Sequence, residues 1–362
     1  MCRKRNFTTS CGYIEIMKRI QPISVFIALL SALCLCLLVD LTLGSVRIPV
    51  RQIPSILFSA DADPTLRFIL LEVRLPYALT AILVGMGLGL GGMVMQTLLR
   101  NPLAEPFILG ISSGASLGVV IMSLGLGVQW LSATGLSSPM PAFSMVTGAF
   151  LGSSLLMALV IGFSRRMDSV MLLIVGLMAG YFSYGVVSML VFFRSPEELR
   201  TYHLWTLGSF SGVTWRDLPI IASVTLGGCA LITLRFRMLD ILHMGDSFAH
   251  TVGVSVARER WILLLGVSLI ASTLTAYCGP IAFLGIAAPH IARLLLRSHS
   301  HALLLPASMI TGALLSLIAA FIAKAPWSPH TLPYNAVAAL IGAPVVISLL
   351  FNRTSLRRLS QE

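Results

Sequence analysis

Leu75–Gln96 reads LPYALTAILVGMGLGLGGMVMQ, with Arg74 before it and Arg100 after it. No charged residue interrupts the run. A helix needs about 20 mostly apolar residues to cross the hydrocarbon of a bilayer, and this stretch supplies them. Its glycines are informative: Gly85 and Gly89, and Gly87 and Gly91, lie four residues apart. Small residues at that spacing let helices approach closely in lipid. The chain repeats this kind of segment. Apolar runs fall at 24–44, 75–96, 106–125, 142–163, 169–193, 217–236, 260–279, 281–297, 302–323 and 334–351. Over all 362 residues, 56% are hydrophobic and 11% charged, whereas soluble domains carry about 25% charged residues. Mean hydropathy is +0.90. The expected fold class is therefore all-α, a polytopic membrane protein of about ten transmembrane helices with lipid as its main solvent.

The charges fall at the ends of those runs. With the N-terminus in the cytoplasm, seventeen of the 25 Lys and Arg residues lie on the inside and the remainder outside, as the positive-inside rule requires. This predicts cytoplasmic N- and C-termini; the expected location is the cell (inner) membrane. The net charge of +11 does not mark a nucleic-acid binder, because the basic residues form no stripe with interleaved aromatics. Val25–Val39 follows Lys18 and Arg19 but no small-residue cleavage site succeeds it, so it reads as a retained first span. The start, Met1 or Met17, stays open. The expected organisation is a cytoplasmic tail at 1–23, one transmembrane domain at 24–351 and a second tail at 352–362.

An internal repeat lies within that domain. Gly92 precedes Pro102 by ten residues, and Gly279 precedes Pro289 by ten. Ser144-Met145-Val146-Thr147-Gly148-Ala149 echoes Ser308-Met309-Ile310-Thr311-Gly312-Ala313. The copies, about 70–193 and 258–351, begin at the second and seventh spans. Five spans separate them, so they point in opposite directions. Inverted repeats are a hallmark of transporter folds.

The driving force must come from elsewhere. A P-loop needs Gly-x-x-x-x-Gly-Lys-Ser/Thr, and none of Lys4, Lys18 and Lys324 ends one. Ion-coupled carriers use ionisable groups at the membrane midplane. The 14 acidic residues read as lying at span ends or in loops, which leaves no buried carboxylate for a proton or sodium ion. His290 reads as a packing or hydrogen-bonding residue. The six cysteines are scattered with no CxxC pair, giving neither a disulfide framework nor a metal site. No cofactor is expected. The loop at 238–259 suits a partner. In it Asp246 can cap a short helix, Gly253 suits a left-handed stop, and Phe248, Ala249 and Val252 are expected to share one face. A helix lying on the membrane surface is the competing reading.

Several blocks together resemble one family. They are Arg74-Leu75-Pro76, Gly85 to Gln96, Asn101-Pro102-Leu103-Ala104-Glu105-Pro106 and Leu109-Gly110-Ile111-Ser112-Ser113-Gly114-Ala115. Further on come Trp205 to Gly212 with Trp215, Gly245 to Val254, Gly279 to Gly285 with Pro289-His290-Ile291-Ala292-Arg293, and Leu332-Pro333 with Leu340-Ile341-Gly342-Ala343-Pro344. In this order they resemble the FecCD-type permeases of ABC importers for iron–siderophore complexes, haem and cobalamin. The resemblance implies a second permease subunit, the same or different, and two cytoplasmic ABC ATPases docked through Gly245, Asp246, Phe248, Ala249, Val252 and Gly253. It also implies an extracytoplasmic substrate-binding protein docked near Arg74 and Lys324, and a cytoplasmic gate at Asp168 and Ser169, where helix capping by Asp168 is an equal alternative. The chain would then be a transport subunit, not an enzyme. It departs from the pattern where a second arginine is expected, at Tyr77. Lys324 stands for an arginine and Ala320 for an aspartate. An ion-coupled secondary carrier is the alternative of a different class.

Overall fold

The structure, a computed structural model, describes residues 7–44, 46–58, 63–123, 141–164, 167, 169–325 and 330–351. Among these, every regular element is helical. The long apolar helices are α1 (Phe7–Thr42), α2 (Pro64–Leu98), α4 (Pro141–Phe163), α5 (Ser169–Phe192), α10 (Val256–Cys278) and α12 (His301–Ala323). Three apolar helices are shorter: α3 (Ile111–Ser123), α11 (Leu284–Leu296) and α13 (Tyr334–Phe351). Between them lie α6 (Pro196–Thr206), α7 (Leu218–Thr233), α8 (Phe236–His243) and α9 (Asp246–Thr251). The axes of α7 and α8 differ by 55°. Among the described residues six helices are long and apolar enough to cross a bilayer, and the bent α7–α8 pair, taken as one span, makes a seventh. With the three short apolar helices these match the ten runs read from the sequence.

The boundaries shift in three places. Helix α1 begins at Phe7, so much of the segment read as a tail is helical. Helix α2 starts eleven residues before Leu75, at Pro64, where Asp63 accepts a hydrogen bond from Thr65 N (2.8 Å). Its early part winds as a π-helix over Ile69–Arg74. Helix α6 has no counterpart among the apolar runs because it is polar. A capping box, with Ser195 and Glu198 bonding reciprocally, starts it instead of hydrophobic periodicity. The Ser195 N–H, followed by Arg194, holds the Glu198 carboxyl below the usual range.

Burial separates core from periphery. Some 83% of the apolar window of α2 is buried, against 28% for α5 and 6% for α1. A helix apolar all round is either a buried core or a lipid-facing span; α2 is the first kind and α1 the second. Glycine allows the core contacts. A Cβ on Gly85 would strike the Gly312 backbone of α12, and one on Gly92 would strike Gly285 of α11. Gly118 and Gly114 of α3 meet Gly148 and Gly152 of α4 in the same way. Without a hydrophobic force between helices in lipid, such close van der Waals packing drives association. The packing exchanges between halves: α3 packs on α4 and α5 as α11 packs on α12 and α13, while α4 leans on α10 as α12 leans on α2.

Candidate functional site

Two ion-pair clusters mark opposite ends of α2. At its C-terminal end the chain turns sharply. Arg100 has φ +46°, Asn101 N bonds Gln96 O, and the Asn101 side chain accepts from Leu103 N (3.0 Å). Asn101 and Pro102 thus end α2 and shape the turn that follows it. Nearby, α9 lies between two glycines of positive φ, Gly245 (+121°) and Gly253 (+81°). Val254 N reaches back to Ala249 O and Gly253 N to His250 O, closing α9 with the left-handed stop expected at Gly253.

Asp246 does not act as the cap. Gly245 occupies that position without a side-chain bond, and the Asp246 carboxylate turns to two arginines. Oδ1 accepts from Arg100 (2.8 Å) and Oδ2 from Arg260 (3.3 Å). Charge-assisted bonds are about twice as strong as neutral ones, so guanidinium groups outcompete the helix N–H groups. The expected shared face also divides. Ala249 is fully buried, whereas Phe248 and Val252 are 41% and 54% exposed. These two lie four residues apart on the outer side of α9, with Ala249 as its anchor.

Further bonds hold this end. Arg235 grips Glu259 through both carboxylate oxygens (2.8 and 2.9 Å). His301 contacts Asp240 through Nδ1 (2.7 Å) and Thr97 through Nε2 (2.9 Å), and Arg293 donates to Gln96 Oε1 (2.6 Å). Asp168 lies outside the described residues. Ser169 opens α5, and Met167, just before it, accepts a hydrogen bond from Arg260 (3.1 Å).

The other end is sealed. Asp40 is fully buried and takes both its bonds from Lys324 (2.9 and 2.7 Å). The Lys324 ammonium also sits 4.2 Å from the Tyr77 ring centroid, within cation–π range. Arg74 is buried and donates to Leu41 O (2.6 Å) and Val46 O. Tyr77 donates to Ala320 O (3.3 Å). The Trp215 indole N–H donates to Leu71 O (2.8 Å) inside the π-helical turn. Arg47, Arg51 and Arg67 are exposed at this end.

The expectation that no carboxylate is buried is corrected by Asp40, Glu105 and Glu259, all at most 8% exposed. Each has a partner that the sequence does not display, because the partner lies far along the chain. Glu105 accepts from Phe283 N (3.2 Å), at the head of α11 in the other repeat. His290 contacts Pro102 O (2.9 Å), the hydrogen-bonding role read for it. No group of three or more His, Cys, Asp or Glu residues that could hold a metal occurs among the described residues. Between α3 and α5 opens a cleft of about 330 Å³ lined by Phe107, Gly110, Ser113, Gly180, Tyr181 and Tyr184. Sequence reasoning missed Arg100 and Arg260 as site residues, counting them only as span-end charges; their partners come together in space alone.

A glycine-packed bundle of long, broken and short apolar helices defines a multi-pass membrane protein. Residues 30–352 match the FecCD transport family, and the chain belongs to it. It is 32% identical to the hemin transport system permease protein of Yersinia pestis, across 94% of this chain and 98% of that protein. It is 34% identical to the Fe(3+) dicitrate transport system permease protein FecD of Escherichia coli K12, across 91% and 99%. A solved structure described as an inward-facing, metal-chelate type ABC transporter superposes with a TM-score of 0.77 at 27% identity, covering 91% of this chain and 99% of that one.

Proposed function

We propose that this chain is the membrane-spanning subunit of an ATP-driven ABC importer for a metal chelate, an iron–siderophore complex in the first place, in the inner membrane. The observation that carries the reading is α9. It is a short helix between two positive-φ glycines, anchored by Ala249, with Phe248 and Val252 turned outward. Exposed apolar side chains on such an element suit docking of an ATPase, and the chain has no P-loop of its own. In this reading α9 and both termini are cytoplasmic, two ATPases bind there, and a second permease subunit completes the path. The segment at Asp168 and Ser169 is the cytoplasmic gate. The Arg74–Lys324 end receives the substrate-binding protein. Both cations already hold internal partners there, so the exposed Arg47, Arg51 and Arg67 would supply the outward positive charge.

Haem and cobalamin are the alternative cargoes, since relatives of near-equal identity carry different cargo names. The buried Glu105 is what an ion-coupled carrier would need. Collapsing the proton gradient at constant ATP separates the two classes: uptake that continues supports the ABC reading, and immediate loss supports the carrier. The cargo test is uptake of radiolabelled iron–siderophores, haem, cobalamin and molybdate in a strain lacking this chain. Loss of a chelate, restored by the intact chain, is expected. Unchanged uptake of every chelate would refute the assignment.

A further inference from the structure

Arg260 lies where three separate elements meet. It stands near the start of α10, the fifth residue of the helix, with its side chain 6% exposed. One nitrogen of its guanidinium donates to the Asp246 carboxylate on α9, and another donates to the carbonyl of Met167, two residues before α5 begins. The neighbouring Glu259 is clamped by Arg235, which ties the start of α10 to the α7–α8 bend. Arg260 therefore projects from a fixed post. The two elements it joins are less fixed. Helix α9 has a glycine hinge on each side, and α5 is only 28% buried. Helix α5 also lines the cleft through Gly180, Tyr181 and Tyr184.

Resting on the docking reading of α9, we propose that Arg260 is the positioning residue that couples movement of α9 to α5, with Asp246 as its handle. A planar guanidinium suits this task because it holds two acceptors at fixed relative positions, which an ammonium does not. When α9 moves with a docked partner, Asp246 draws on Arg260, and Arg260 draws on the chain leading into α5. The cleft wall follows. Arg100, bonding the other Asp246 oxygen from the end of α2, sets the resting position.

The test uses the full transporter, purified through a tag on this chain with its ATPases and binding protein and reconstituted in proteoliposomes. Cargo uptake is measured per ATP hydrolysed, with radiolabelled ferric siderophore, haem or cobalamin, whichever the wild type carries. Arg260→Gln is expected to retain the ATPases and their hydrolysis while uptake per ATP falls at least tenfold. Arg260→Lys should recover part of the loss. Asp246→Asn should lower the ratio in the same direction, and the double variant should be no worse than Arg260→Gln, because Arg260→Gln already breaks the Arg260–Asp246 link that Asp246→Asn weakens. An unchanged ratio in Arg260→Gln overturns the proposal. If Arg260→Gln does not assemble, Asp246→Asn, at a partly exposed position, decides by the same ratio. Failure of the ATPases to co-purify with the wild type would remove the docking reading itself, a result distinct from a normal complex with a normal ratio.

Discussion

The two ends of α2 hold their charges in opposite ways. At the Arg74 end, Asp40 has no exposed surface, and Lys324 is committed to it and to the Tyr77 ring. At the Arg100 end, Asp246 is shared between two arginines and its side chain is 39% exposed, with Arg100 at 47%. Buried ion pairs tolerate no vacancy, because removing one partner leaves a desolvated charge. Exposed pairs are screened and contribute little each. One end is therefore locked by desolvation, while at the other the Arg100–Asp246 pair can exchange partners at little cost, as a surface that engages another protein must.

That contrast can be broken most severely at the sealed end. Lys324→Ala strands the Asp40 carboxylate and should lower stability by about 3–5 kcal/mol, read as a fall in thermal unfolding temperature in detergent. A joint Asp40→Asn and Lys324→Met replacement should recover most of it. A Lys324→Ala protein as stable as wild type would mean that the end is not sealed. Gly253→Ala forces a side chain into the left-handed region, although no atom lies within 4 Å of the added carbon. The expected cost is about 1 kcal/mol, measured by protease nicking of the 238–259 segment. Arg100→Ala, which removes the most exposed partner, should change global stability by less than about 1 kcal/mol. A loss as large as that at Lys324 would erase the difference between the ends.

The apolar runs made the spans legible, because a helix in lipid must be continuous and uncharged to satisfy its own backbone. The separate runs 260–279 and 281–297 match α10 and α11: Gly279 has φ +76° and ends the first helix. The close-contact role of Gly85, Gly114 and Gly118 could likewise be read from spacing alone. Partnerships across the chain could not. Asp246 looked like a cap because local sequence offers it only its own helix; Arg100 lies 146 residues away. Glu105 looked like a loop residue, and only the fold brings Phe283 to it. Ala249 was grouped with Phe248 and Val252 by apolar character, yet it points into the core while they face out, a distinction set by the packing of α9 on α8 and α10.

Tyr77 and Ala320 are both departures from the pattern this chain resembles, and they touch: the phenol of one donates to the carbonyl of the other, with the Lys324 ammonium over the same ring. The three are coupled by direct contact. Restoring arginine at 77 alone would set a second cation against Lys324 and remove the aromatic face that shelters it. Restoring aspartate at 320 alone would crowd a carboxylate into a site with no exposed surface, where Asp40 already claims the lysine. The three positions are expected to drift together or not at all, so that lineages of this permease would carry either the whole aromatic set or the whole charged one.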